Sequence, residues 1–289
     1  MSEPSQASDR YTTPEPSPQI PVVSKDITVN LSKSKMMRLY VPTAAPNGGV
    51  SPKKLPLVVY YHCGGFTAGS IKLDLDHNLC NIMAWKLKAM VASASYRLAP
   101  EHRLPAAYLD GVDAVEWIKY SDDEWIKSYA DLSNVYLMGT GSGGNLAYNA
   151  GIRAANLAPL RIRGLFLNQP LFGSEERCES EVNADPPSIL NSVDAHWKLC
   201  LPVGANRDHE YSNPTVGDGP DIMEVMGQRG WKVVVSGVEG DPLVDRHRNV
   251  AKLMKEKGVD VVEHFTDGDV PNLIDLFASI RNVIHSSAP

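Results

Sequence analysis

The sequence predicts an α/β fold, with a mainly parallel central sheet, helices on both faces and a small cap. Three observations lead there. Short apolar runs rich in β-branched residues alternate with longer stretches of helical periodicity from residue 57 onward. One run ends in the glycine-rich turn Gly139-Thr140-Gly141-Ser142-Gly143-Gly144-Asn145, and a helical pattern follows at once. Residues 174–225 interrupt the alternation with no clean period, which suits an insertion lying over the sheet's end. The chain has 289 residues, 43% hydrophobic and 21% charged, enough apolar material for one domain with a sizeable core.

The elements follow in order. Residues 1–25, rich in Ser, Pro, Thr and Gln, read as a flexible arm, so that a single domain spans 26–289. Residues 43–55 are a polar connector. Strands are expected at Leu57–Tyr61, Met90–Ser95, Val135–Met138, Ile162–Leu167, Lys232–Ser236 and Val259–Phe265. Helices are expected at Cys80–Lys88, Ala106–Lys119, Gly144–Ala155, Val244–Lys257 and Leu273–Ile284. Strand–helix alternation of this kind gives parallel strands joined by crossovers, and functional groups then gather at the carboxyl ends of the strands.

Charge and composition narrow the function. A net charge of -6 argues against nucleic acid or an anionic membrane as the main partner. No apolar stretch is long enough to span a bilayer. The start, Met1-Ser-Glu-Pro-Ser-Gln, lacks the basic and apolar regions of a signal peptide, so a cytoplasmic location is expected. Cys63, Cys80, Cys178 and Cys200 show no C-x-x-C spacing, which suggests reduced thiols rather than a zinc or redox site. No metal or cofactor is called for. A small-molecule ligand or substrate is the expected partner; the oligomeric state is not legible.

The turn after Val135–Met138 has the layout of a nucleophile elbow, a strand running through a tight turn into a helix. In the G-x-S-x-G pattern the nucleophile stands two residues after the first glycine. Counted from Gly139, that place holds Gly141; the next residue, Ser142, is the nearest hydroxyl.

Four ordered passages resemble the plant carboxylesterase family, in the hormone-sensitive-lipase branch of the α/β-hydrolases. His62-Cys63-Gly64-Gly65-Phe66 is similar to the family's H-G-G-G-F. Ser95-Tyr96-Arg97-Leu98-Ala99-Pro100-Glu101-His102-Arg103-Leu104-Pro105 and the elbow follow, and Glu239-Gly240-Asp241-Pro242-Leu243-Val244-Asp245-Arg246 resembles the segment holding the triad acid. The resemblance covers roughly residues 24–289 and implies the α/β-hydrolase fold. It also implies that Asp241 is the remaining triad acid. The oxyanion-hole region would comprise His62, Gly64, Gly65 and Ser142, with the N–H groups of the last three facing a carbonyl oxygen.

Departures from the family pattern weigh more. Gly141 replaces the nucleophilic Ser. In Phe265-Thr-Asp-Gly-Asp269-Val-Pro271-Asn-Leu273 a gapless match puts Pro271 where the family has its His; matching from Asp269 deletes that loop altogether. Cys63 replaces an oxyanion-loop glycine, and the amino-terminal arm is shorter than the usual lid. Losing the Ser or His of a working triad costs about 10⁶ in turnover, leaving roughly 10³–10⁴ over water.

Other residues have structural readings. Ser142 reads as a small packing residue and only weakly as a substitute nucleophile. His247 and His264, nearest in sequence to a replacement base, read as structural or exposed. Tyr96, Arg97, Glu101 and His102 read as a brace behind the site, and Asp245-Arg246 as fixing a helix start. Met36, Met37, Trp197 and Trp231 read as packing.

Three functions remain open. One is non-hydrolytic elimination or cyclisation, as in the family's dehydratases and alkaloid cyclases. Another is ligand binding, as in the related gibberellin receptors. The third is an active or residual esterase. The expectation is a protein with a disabled triad that binds a small apolar ester or carbonyl metabolite, with the first route open to it; Asp241 reads as the proton-transfer group or as a relic carboxylate paired with water, backbone or Arg246.

Overall fold

The computed structural model describes residues 20–30, 35–43 and 54–286. Eight strands form one sheet: β1 (Val22–Asn30), β2 (Lys35–Pro42), β3 (Leu55–Tyr61), β4 (Met90–Ala94), β5 (Ala130–Thr140), β6 (Ile162–Asn168), β7 (Lys232–Val238) and β8 (Asp260–Thr266). Their order is β1-β2-β4-β3-β5-β6-β7-β8. β2 pairs antiparallel with β1 and β4, and every later pairing is parallel.

Alternation along the strands sorts the core into two layers, because successive side chains point to opposite faces. Leu57, Val59, Leu137, Leu165 and Val233 pack on one face. On that face lie α2 (Ala106–Tyr120), α4 (Ser142–Arg153) and α8 (Val244–Glu256). Val58, Tyr60, Tyr136, Phe166 and Val234 face the other way, toward α1 (Asp74–Leu87) and α9 (Leu273–Ser286). Central strands buried on both faces explain the continuous apolar runs. A Leu137→Ala change, at 0% exposure, would cost about 2–5 kcal/mol through lost burial and a cavity.

Six strands and five helices stand where the sequence placed them, with ends shifted by a few residues. β1 and β2 were not anticipated. Of the arm assigned to residues 1–25, residues 1–19 lie outside the described residues, while Val22–Lys25 belong to β1. Of the connector at 43–55, residues 44–53 lie outside them, and Leu55 opens β3. α1 starts at Asp74 rather than Cys80 because Asp76, His77 and Asn81 are buried polar residues that mask its period. A short α3 (Glu124–Tyr129) is capped by Asp123, whose Oδ1 accepts the Trp125 N–H at 2.8 Å.

The insertion at 174–225 holds α5 (Glu179–Val182), α6 (Ser188–Cys200) and most of α7 (Gly219–Gln228). Trp197 anchors α6 against Phe66, ring centroids 6.4 Å apart. Asn145 ties the cap to α4, its Nδ2 donating to Leu171 O and Tyr211 O at 3.0 and 2.8 Å. Asp245 and Arg246, expected to fix the start of α8, instead bind the cap. Asp245 Oδ2 accepts the Ser180 N–H at 2.8 Å, and Arg246 pairs with the buried Glu181. Among the described residues no helix is long and apolar enough to cross a membrane.

Candidate functional site

β5 delivers the chain to Thr140, and α4 begins at Ser142. Gly141 between them has φ 56 and ψ -120, a left-handed conformation that a side-chain-bearing residue adopts only under strain. The turn is held from several sides. Gly141 N–H donates to Asn168 O at 3.0 Å, while Gly141 O accepts from Gly144, Asn145 and Leu171. Glycine is needed next door for a different reason: a Cβ on Gly143 would lie 2.0 Å from the Tyr61 carbonyl oxygen. At Gly141 space is no obstacle. A Cβ there would meet only the Cys63 Cβ, at 3.6 Å. The elbow is intact as backbone, with room for the side chain it lacks.

Cys63 therefore borders the nucleophile place. Burial, and secondarily the Asp76 carboxylate, push its thiol above the ordinary range, so it stands as a thiol rather than a thiolate. All four cysteines are free. Gly64 (φ 126), Gly65 (φ 61) and Phe66 (φ 63) carry the chain through a left-handed loop that Gly64 O closes by accepting from Thr67 and Ala68 at 3.0 Å. None of the loop and turn hydrogen bonds among the described residues uses the N–H of Gly64, Gly65 or Ser142. Such unspent donors at a turn and a helix start are the means of holding a carbonyl oxygen.

His62, expected in the oxyanion-hole region, lies beneath the glycine loop. It is 2% exposed, its Nδ1 sits 2.7 Å from Cys63 O, and its ring stacks on Tyr96 at 4.2 Å. Tyr96 Oη donates to His62 O at 2.8 Å. Burial lowers the His62 pKa to about 4, so the ring is a neutral prop beneath the loop. Ser142 is 1% exposed; its hydroxyl has Tyr96 as polar neighbour and makes no well-formed hydrogen bond. That places its oxygen inside the protein, as a packing residue.

Asp241 is engaged by a backbone N–H, as its structural reading has it, and by a side chain that the sequence did not suggest. Its Oδ2 accepts Gln169 Nε2 at 2.9 Å and its Oδ1 accepts the Leu243 N–H at 2.8 Å. Gln169 holds a left-handed φ of 44 to reach it. No imidazole hydrogen-bonds this carboxylate among the described residues. Asp269 lies beside Gly240, and Pro271 is in the loop before α9; neither supplies an imidazole. His247 is fully buried, with Nε2 2.9 Å from Pro170 O; burial lowers its pKa against the pull of Asp241. His264, on β8, lies 3.5 Å from Ser279 Oγ on α9, away from the elbow.

The brace forms in part. Arg97 grips Asp110 with two side-chain hydrogen bonds of 2.8 Å, and Lys35 joins the same carboxylate. Glu101 and His102, expected in that brace, are exposed instead. A residue absent from the sequence reading also reaches the glycine loop. The ring of His196, on α6, lies against Gly65, where a Cβ would stand 2.4 Å from it. Its Nδ1 is 2.8 Å from Thr67 Oγ1. A separate cavity of about 320 Å³, lined by Phe172, Arg177, Cys178, Thr215, Arg246 and Asn249, touches neither Gly141 nor Asp241. Among the described residues no cluster of His, Cys, Asp and Glu is arranged to hold a metal.

Residues 58–271 match the family model described as the alpha/beta hydrolase fold. The chain is 55% identical over 289 residues to Carboxylesterase 20 of Arabidopsis thaliana, covering 95% of this chain and 88% of that protein. It is 39% identical to 3-O-acetylpapaveroxine carboxylesterase CXE2 of Papaver somniferum, covering 88% and 85%. To the gibberellin receptor GID1A of Arabidopsis thaliana it is 31% identical, covering 88% and 75%. Among solved structures, an esterase from Pyrobaculum calidifontis superposes with a TM-score of 0.75 at 26% identity, covering 91% of this chain and 84% of that one. With its elbow, its glycine loop and the acid after β7 in the family's order, this chain belongs to the plant carboxylesterase family of α/β-hydrolase-fold proteins.

Proposed function

We propose that this carboxylesterase-like protein binds a small apolar ester or carbonyl metabolite beneath its cap without forming an acyl-enzyme. The observation that carries the reading is the elbow. Its left-handed backbone is kept at Gly141 while the oxygen that would attack is gone. A second support is Asp241, whose two oxygens are taken by Gln169 and Leu243 rather than by an imidazole. What remains is the donor set at Gly64, Gly65 and Ser142, aimed at a carbonyl oxygen.

A carbonyl held there is polarised, and its α-protons are made more acidic. Elimination or cyclisation needs that polarisation and a proton acceptor, but no covalent adduct. Asp241 is the carboxylate that family position puts in reach of such a proton. The Gln169 amide orients it, as an imidazole N–H would in a triad. Four free thiols suit a reducing compartment, in keeping with a cytoplasmic setting.

Two other readings have specific support. Relatives named carboxylesterases favour an active or residual hydrolase. A relative named as a receptor favours non-catalytic ligand binding. Two measurements on the wild-type protein separate them: hydrolysis of 4-nitrophenyl butyrate, and a ¹⁹F NMR titration with 4-fluoroacetophenone. The proposal expects saturable ketone binding together with hydrolysis no more than roughly 10³–10⁴ over water. Turnover of the ester at ordinary enzyme rates would reject it in favour of the hydrolase.

A further inference from the structure

We infer that His196, carried by the cap, is the working imidazole of this site: its Nε2 hydrogen-bonds the ligand's carbonyl or ester group at the Gly64–Gly65 loop. The inference rests on the proposed carbonyl-binding hole and adds a residue to it from an element no triad uses.

The geometry comes first. The His196 ring covers Gly65 so closely that a Cβ there would stand 2.4 Å from both Cγ and Nδ1, so the glycine admits the ring to the loop. Thr67, from the same loop, fixes the ring's rotation through the 2.8 Å contact to Nδ1. The alternative acceptor for the Thr67 hydroxyl, Gly64 O, is farther away at 3.4 Å. With Nδ1 accepting from Thr67, the neutral ring carries its proton on Nε2, which becomes a donor. Burial lowers the His196 pKa, which favours that neutral form. Trp197, one residue on and 1% exposed, anchors the helix from the core side and so holds His196 over the loop.

The other histidines of the core are committed elsewhere. His62 is under the loop, His247 bonds Pro170 O, and His77 lies among Arg38, Tyr40 and Asn81. Nε2 of His264 is buried without a partner, whereas Nε2 of His196 is not among the buried unpartnered atoms. His196 thus combines contact with the hole, an oriented ring and a nitrogen left for a ligand.

The test is a ¹⁹F NMR titration of 4-fluoroacetophenone with wild type, His196→Leu and His196→Gln. Imidazole ¹⁵N shifts of the wild type are followed in parallel. Removing one neutral hydrogen bond should weaken binding about 3- to 10-fold in His196→Leu. His196→Gln, whose amide nitrogen reaches the place of Nε2, should recover it to within about twofold of wild type. In wild type, ketone should shift the His196 Nε2 resonance more than Nδ1. Equal affinity in wild type and His196→Leu would overturn the inference while leaving the carbonyl-binding reading in place. Weakening in His196→Leu that Gln does not recover, with Nε2 unmoved, would make His196 a packing residue and also overturn it. No ketone binding by wild type would remove the underlying reading, and this inference with it. Should His196→Leu fail to fold, the wild-type ¹⁵N shifts decide alone.

Discussion

Gly141→Ser restores the missing side chain, and the structure sets what it should do. The Cβ has room, its nearest contact being the Cys63 Cβ at 3.6 Å, so no clash is expected. The cost is conformational, because a non-glycine residue at φ 56 and ψ -120 carries about 1–3 kcal/mol of strain. At about 2–3 °C per kcal/mol for a domain of this size, the melting temperature should fall by roughly 2–9 °C. The restored hydroxyl would still have no imidazole to take its proton. Asp241 is bound by Gln169 and Leu243 in place of an imidazole, and the buried His247 donates its Nε2–H to Pro170 O. A triad lacking its histidine works about as poorly as one lacking every member, so hydrolysis of 4-nitrophenyl butyrate should rise by less than about tenfold. Thermal unfolding and initial-rate kinetics on the same preparation give both numbers. A gain of about 10³ or more would refute the reasoning, since it requires an imidazole in reach of residue 141. Unchanged thermal stability would refute the strain argument independently.

Three further outcomes follow from the packing. Asp76 is 3% exposed, and burial raises its pKa from the usual 3.8 to about 7. The folded state therefore holds that proton longer than the unfolded one, and wild type loses stability as pH rises from about 4 to 7. Asp76→Asn should escape this, its advantage in urea unfolding widening between pH 5 and pH 8 to at most on the order of 4 kcal/mol; a constant gap would contradict it. Arg246→Ala should cost about 1.5–3 kcal/mol by leaving the buried Glu181 to Arg177 and the Cys178 N–H alone, and should speed proteolysis of the cap near α5; unchanged unfolding and cleavage would show that the pair does not hold the cap. Burial pushes the Glu181 carboxyl up, but Arg246 and the Cys178 N–H outweigh it and hold it below the usual range. That contribution is present above the ordinary glutamate pKa and is lost as pH falls through the lowered one. Gly143→Ala should abolish soluble expression, because its Cβ would stand 2.0 Å from the Tyr61 oxygen and no rotamer relieves a backbone clash; a variant that expresses and melts like wild type would contradict the close approach.

The central strands were legible because parallel strands buried on both faces write themselves as apolar runs. β2 was not, since it carries Lys35 and Arg38 into the interior. There they pair with Asp110 and Asp26, and buried ion pairs look like surface in a sequence. The start of α1 hid for the same reason, with Asp76 and His77 facing inward. Within the site, Gly141 was located by counting along the turn and Asp241 by family resemblance, and the structure brings the Cys63–Gly65 loop to the elbow. Misplaced was His62, whose motif position suggested a ligand contact and whose ring lies beneath the loop. Gln169 gave no signal, because the strained backbone that swings it toward Asp241 has no sequence mark. His196 sat in the insertion whose period was unreadable. Its role depends on α6 docking over Gly65, a contact between residues far apart in the chain.

The central claim is that the elbow offers no activated oxygen. Intact-mass spectrometry after incubation with a fluorophosphonate, followed by peptide mapping, tests it most directly. The account predicts an unmodified chain at Ser142 under conditions that fully label an active esterase. Stoichiometric phosphonylation of Ser142, suppressed by 4-fluoroacetophenone, would contradict it.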